Sequence, residues 1–170
     1  MDSLTCAQAL TAAQALGLER LDAQLLLLHA LGKPASARSW LLAHDLDELA
    51  QGAADAFHAL SLRRTAGEPL AYIVGSKEFF GLPLQVDARV LVPRPDTETL
   101  VEWSLALLEG FNVPLQVLDL GTGSGAIALA IAHSLKVAGR DGAVTAVDAS
   151  VAALDVARNN AWQLGLAMKF

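Results

Sequence analysis

Cysteine is almost missing from this 170-residue chain: Cys6 stands alone. That excludes a disulfide framework and any zinc site built on several thiolates. Aromatic residues are scarce at 5%, and charged residues reach only 18% against 54% hydrophobic. A chain this apolar and this weakly charged does not stay disordered. Basic charge is in deficit, with 12 Lys and Arg against 18 Asp and Glu and a formal net charge of −6. Such a surface does not favour polyanions, which argues against nucleic acid as a direct substrate. Long apolar runs are lacking as well. Leu25–Leu28 and Ala126–Ala132 are far too short to span a bilayer, so no membrane partner is expected. Residues Met1 to Gly17 have neither the basic start nor the continuous apolar run of a signal peptide. The expected compartment is a reducing cytoplasm. His29, His44, His58 and His133 have no ligand partner at tight spacing, so no metal site is expected.

What the chain does contain falls into two patterns. The first third reads as short helices. Thr5 and Gln8 have capping-box spacing, and Gly17 is a natural stop. Leu21, Leu25 and Leu28 fall on one helical stripe that ends at Gly32 and Pro34. Ser36 opens a brief third helix with Trp40 and Leu41, and Asp47 caps a fourth that runs to about Arg64. Four such elements predict a small antiparallel bundle, with Cys6 as a small core hydrophobe. Ala71–Val74, Glu78–Phe80 and Leu84–Val86 are β-prone, with Gly75 and Gly81–Pro83 as turns, so a hairpin is expected next. Pro93 and Pro95 stiffen the segment around Arg94, and Asp96 can cap a helix carrying Leu100, Trp103, Leu107 and Leu108 on one face. Trp40, Trp103 and Trp162 sit at helical apolar positions and read as core.

From Gln116 the order becomes strand, glycine loop, helix, strand, helix. Gln116–Leu120 and Ala143–Val147 are apolar, as parallel strands buried on both faces should be. Helices are expected over about Ser124–Ala138 and Ser150–Leu164, and Met168–Phe170 can begin a third strand. This is the opening of a doubly wound sheet. Two parallel strands make no independently stable sheet, so the chain reads as the N-terminal fragment of a longer protein. The alternative is a sheet completed by partner chains, and the exposed strand edge invites pairing between copies.

The strongest motif is Val117–Gly125, VLDLGTGSG. Its glycines let the backbone approach a ligand closely. The spacing is GxGxG, which misses the dinucleotide fingerprint GxGxxG by one residue. Asp119 ahead of the loop would repel a pyrophosphate and attract a cationic or amine-bearing ligand. Asp148 ends the second strand about twenty residues on, where an acidic side chain binds ribose hydroxyls. The bland alternative is a strand-to-helix turn with an incidental Asp.

The segment VLDLGTGSGAIALAIA with AVDAS resembles the cofactor core of class I methyltransferases. The resemblance implies S-adenosylmethionine as donor, released as S-adenosylhomocysteine. It places Asp119, Gly121, Thr122, Gly123, Ser124, Gly125 and Asp148 around that donor. Upstream, Gly67–Glu102 is similar to the connector of bacterial protein-glutamine methyltransferases that modify peptide chain release factors, above all in PRPDTE, Pro93–Glu98. This resemblance implies Arg94, Pro95 and Glu98 beside the pocket, and release factors as partners.

The implied fold class is α plus α/β. A helical substrate-recognition domain covers residues 1–70, a β-hairpin connector 71–92, and a partial Rossmann-like S-adenosylmethionine-binding domain 93–170. The implied reaction moves a methyl group to a glutamine side-chain amide. One departure stands out. The family's catalytic Asn-Pro-Pro-Tyr segment has no counterpart, because asparagine occurs only at 112, 159 and 160 and no Asn-Pro pair exists. No catalytic residue is therefore assigned within this chain, and it is expected to be inactive alone. The rivals are a methyltransferase acting on ribosomal protein or nucleic acid, an NAD-dependent oxidoreductase, and a non-enzymatic helical protein-binding module.

Overall fold

The computed structural model describes residues 4–111 and 113–170. Met1, Asp2 and Ser3, the start of the segment weighed as a leader, and Asn112 lie outside the described residues. The chain divides into two compact units, Met1–Val74 and Gly75–Phe170.

The first unit is helical: α1 (Cys6–Ala15), α2 (Arg20–Ala30), α3 (Arg38–Ala43), α4 (Gln51–Thr65) and α5 (Leu70–Val74). The capping box forms as expected. The Gln8 N–H donates to Thr5 Oγ1, and the Thr5 N–H donates to Gln8 Oε1 at 2.9 Å. Gly17 ends the first helix with φ +94°, a left-handed value that costs glycine nothing. Cys6 is buried, as read, with Leu26, Leu27, Leu28 and Phe57 in one core. Each of these larger side chains contributes roughly 1.5–3 kcal/mol by leaving water. The Arg64 Nε donates to Asp22 Oδ2 at 2.6 Å, tying α4 to α2.

Several expectations for this unit are corrected. The buried stripe of α2 is Ala23, Leu26, Leu27 and Leu28, whereas Leu21 is exposed. Four consecutive leucines make the stripe ambiguous, and packing selects it. Asp47 does not cap α4, whose first residue is Gln51. Instead the Asp47 and Asp45 carbonyls accept the Cys6 and Ala7 N–H groups, donors that α1 itself cannot satisfy. Helix α3 opens at Arg38 rather than Ser36. Ala71–Val74 is helical, not extended. Pro69 suits the start of a helix, and its carbonyl accepts from the Tyr72 and Ile73 N–H groups.

The second unit contains β1 (Ser76–Phe79), β2 (Leu82–Gln85), α6 (Glu98–Glu109), β3 (Leu115–Leu120), α7 (Ala126–Val137), β4 (Gly142–Val147) and α8 (Val151–Gln163). Strands β1 and β2 form the expected antiparallel hairpin, with Phe79 opposite Leu82. Phe80 belongs to its two-residue turn rather than to a strand. Phe80 and Gly81 both have positive φ, +51° and +75°, which matches the right-handed twist of the flanking strands.

Strands β3 and β4 pair in parallel, Leu115 opposite Gly142 through Leu120 opposite Val147. Helix α7 connects them and packs on both strands. Lys169 bridges Thr145 in parallel, so the start of a third strand lies where Met168–Phe170 placed it. This architecture is the opening of a doubly wound, Rossmann-like sheet. Leu84, Val101, Leu129, Val144 and Ala146 centre its core.

The burial of both strand faces is not met. Leu118 and Leu120 of β3 are exposed, and only Leu115 is fully buried there. Helix α6 buries Val101 and leaves Leu100, Trp103 and Leu107 exposed. Trp162 is also exposed, while Trp40 is half-buried between the Lys33 ammonium and a stacked His44 ring. Asp96 sits inside a 3-10 turn, Pro95–Thr97, and Thr97 takes the cap position of α6. Among the described residues, no helix is long and apolar enough to cross a membrane.

Candidate functional site

Both strands of the parallel pair end at one edge, and the loops that follow meet there. After Leu120 the Gly121 and Thr122 N–H groups both donate to the Val147 carbonyl, at 2.8 and 3.0 Å. The loop is thus pinned to the last residue of β4. The next residue is Asp148. Its Oδ2 accepts the Gly123 N–H at 2.8 Å, and its Oδ1 accepts the Ser150 N–H at 2.9 Å. Carboxyl ends of adjacent parallel strands form the usual crevice for ligands in such sheets. The glycine loop and the acid named from sequence therefore stand together.

The glycines divide into two kinds. A Cβ added at Gly121 or Gly123 would meet no atom within 4 Å, and their φ values are +79° and +56°. Backbone is bare to open space at these positions, as close approach of a ligand requires. Gly125 differs. A Cβ there would lie 2.9 Å from Leu129 Cδ1 and 3.2 Å from the Ala157 Cβ of α8. Its surroundings are packing rather than open space. Thr122 and Ser124 are buried.

Electrostatics follow from these bonds. The Ser150 and Gly123 N–H groups, with a smaller contribution from Ala149, hold the Asp148 carboxyl below the ordinary range. Asp148 is therefore an anionic acceptor at neutral pH, with lone pairs beyond those the backbone uses. Asp119 Oδ2 accepts from the Thr122 hydroxyl at 2.7 Å, which orients its carboxylate beside the loop. The two acids and two bare glycines suit a ligand with hydroxyl donors and positive charge, and suit a diphosphate poorly.

The residues named around PRPDTE lie at the 3-10 turn and the start of α6. Arg94 and Pro95 are exposed at the 3-10 turn. Glu98 turns to the hairpin, where its Oε1 accepts the Phe80 N–H at 3.0 Å. Among the described residues, no hydrogen bond joins Arg94 or Glu98 to the glycine loop. A separate cleft of about 480 Å³, lined by Phe111, Val113, Pro114 and Arg140 among others, lies at the opposite, amino ends of β3 and β4. Within the described residues no group of three or more His, Cys, Asp or Glu stands together as a metal site.

One residue at the loop escaped the motif. Asn160 of α8 is fully buried, and its Nδ2 donates to the Ser124 carbonyl at 2.9 Å. The signal was present: Asn160 interrupts the apolar stripe Ala153, Val156, Ala157, Ala161 at helical spacing.

Comparison with known proteins agrees with this geometry. Residues 112–170 match the model of a methyltransferase domain, and residues 3–75 match that of the PrmC N-terminal domain. The glycine loop and both parallel strands lie within the span matched to a methyltransferase domain. The chain is 50% identical over 149 residues to the release factor glutamine methyltransferase of Bordetella pertussis, covering 88% of this chain and 52% of that protein. It is 48% identical over 147 residues to the Burkholderia pseudomallei protein of the same name, covering 86% and 49%. Against the Escherichia coli protein, also so named, identity is 41% over 159 residues, covering 94% and 54%. Over these residues the chain is similar to release factor glutamine methyltransferases, and it spans about half the length of the curated relatives it matches.

Proposed function

We propose that Gly121–Gly125, Asp119 and Asp148 hold S-adenosylmethionine, and that the chain serves methylation of a glutamine side-chain amide in release factors. The observation that carries this is the bond from Gly123 to Asp148 beside open space over Gly121 and Gly123. A bound donor supplies an electrophilic methyl group on a sulfonium. Asp148 offers the free lone pairs of its carboxylate to ribose hydroxyls. Asp119, held by Thr122, offers negative charge to an ammonium group. The bare glycine backbone lets the donor lie close, which buries it from water. Relatives named for release factor glutamine support the same substrate here.

In this division of labour residues 1–70 engage the protein substrate, 71–92 connect, and 93–170 bind the donor in the cytoplasm. Arg94, Pro95 and Glu98 form the rim toward the substrate. An amide nitrogen is a poor nucleophile, because its lone pair is delocalised. Its attack needs acceptors that orient both N–H bonds. The Asn-Pro-Pro-Tyr segment implied for that role has no counterpart among these 170 residues. The chain by itself therefore binds the donor without transferring its methyl group.

Calorimetric titration with S-adenosylhomocysteine and with NAD, followed by a methyl-transfer assay on a release factor, tests this. Binding of the former alone, with no transfer, is the expected result. Binding of NAD in its place would end the proposal.

A further inference from the structure

We propose that Asn160 is a positioning residue that fastens the glycine loop to the hairpin, so that donor binding is felt at Gln85 and Phe80. This rests on the loop being the donor's cradle. Asn160 is buried completely, and both its polar atoms are engaged. Its Oδ1 accepts the Gln85 N–H at 2.7 Å, and its Nδ2 donates to the Gln85 carbonyl at 3.0 Å and to the Ser124 carbonyl at 2.9 Å. By pairing with both backbone groups of Gln85, the side chain imitates a neighbouring strand at the end of β2. Its second N–H reaches the loop residue between Gly123 and Gly125.

The residue type follows from this task. Only a planar amide presents one acceptor and two donors in so small a volume. Burying such a group is costly unless each bond is made, and an aliphatic side chain would fill the site more simply. The hairpin is held at its other end too, where Glu98 accepts the Phe80 N–H. Between Asn160 and Glu98 the hairpin is thus clamped at the last residue of β2 and at its turn. A shift of the Ser124 carbonyl passes through one side chain to β2, and along the hairpin to Glu98.

Amide hydrogen exchange on the ¹⁵N-labelled 170-residue chain, with and without S-adenosylhomocysteine, tests the coupling. In the unaltered chain the ligand should slow exchange at Gly123, Gln85 and Phe80 together, by about fivefold at Gln85, the scale of one hydrogen bond. In Asn160→Leu the ligand should still slow Gly123 while Gln85 and Phe80 no longer respond. A role in stability alone would change baseline rates and leave that ligand response intact. The proposal is overturned if Gln85 responds equally in Asn160→Leu, or if the unaltered chain protects Gly123 and not Gln85. The second outcome decides the matter even where Asn160→Leu fails to fold. If the ligand leaves Gly123 unmoved in the unaltered chain, the donor assignment fails separately. Glu98→Ala then judges the coupling: it should speed exchange at Gly123, and an unchanged Gly123 rejects it.

Discussion

Gly121→Ala and Gly125→Ala are the same chemical change four residues apart, yet they should fail in different ways. Both positions have positive φ, +79° and +84°. An alanine at either therefore carries left-handed strain of roughly 1–2 kcal/mol. At Gly121 the new methyl group meets nothing within 4 Å, so the cost stops there. At Gly125 it would stand 2.9 Å from Leu129 Cδ1 and 3.2 Å from Ala157 Cβ. Leu129 and Ala157 are both buried completely, so neither can yield without disturbing α7 or α8. Overpacking of this kind adds roughly 1–3 kcal/mol, for a total near 2–5 kcal/mol. With a urea slope of about 2 kcal/mol per molar, Gly125→Ala should unfold about 1 M earlier than Gly121→Ala. Urea unfolding followed at the Val144 and Ala146 amides reads the second unit without interference from the first. Titration with S-adenosylhomocysteine supplies the converse: Gly121→Ala should lose affinity out of proportion to its small loss of stability. Equal unfolding midpoints for the two variants would refute this account of the loop.

Asp148→Asn keeps the shape and replaces one acceptor oxygen by a donor, which leaves either Gly123 or Ser150 without its acceptor. Calorimetry should show S-adenosylhomocysteine binding weakened by about 10- to 100-fold, matching one bond to a charged group lost at about 1.5–3 kcal/mol. The same acid predicts a pH dependence. Its carboxyl lies below the ordinary range in the folded chain because Ser150 and Gly123 donate to it, so the folded state binds fewer protons there than the unfolded one. Its contribution is complete above the unfolded value of about 4 and is lost as pH falls through the folded value. A carboxyl ¹³C titration of Asp148 should accordingly have its midpoint below that of an unfolded aspartate. Asp87 should follow the same direction with its midpoint at about 2, set by the side-chain bonds from Arg89 and then by the Arg89 N–H. Because both side chains of that pair are largely exposed, its removal should barely move the thermal midpoint. Phe80→Gly should relieve left-handed strain of about 1 kcal/mol while losing part of the ring's packing, so its urea midpoint should change little.

The parallel pair and its loops were legible because two local rules coincide there. Glycines at 121 and 123 answer to backbone geometry, and an acid after the second strand answers to sheet topology. Both are written into short spans of chain. The capping box at Thr5 and Gln8 was legible for the same reason. What escaped depended on partners distant in sequence. Asp47 looked like a cap for the helix that follows it, yet its carbonyl serves the Cys6 N–H some forty residues earlier. Four adjacent leucines in α2 allow more than one stripe, and only packing selects Leu26–Leu28. Ala71–Val74 is β-prone residue by residue, but Pro69 and a helical neighbourhood override that preference. Trp103 and Trp162 show that apolar spacing on a helix does not dictate which face meets the core. Asn160 could have been singled out as the polar break in an apolar stripe, though nothing local names Gln85 as its partner.

The bonds that shape the glycine loop all lie within the chain: Gly121 and Thr122 to Val147, Gly123 to Asp148, Ser124 to Asn160. A cradle held by the chain's own backbone and by the side chains of Asp148 and Asn160 is preorganised. An incoming molecule then spends little of its interaction energy on ordering that segment, and affinity reflects the contacts it makes. Association should accordingly proceed in a single kinetic phase, with no slow rearrangement after encounter.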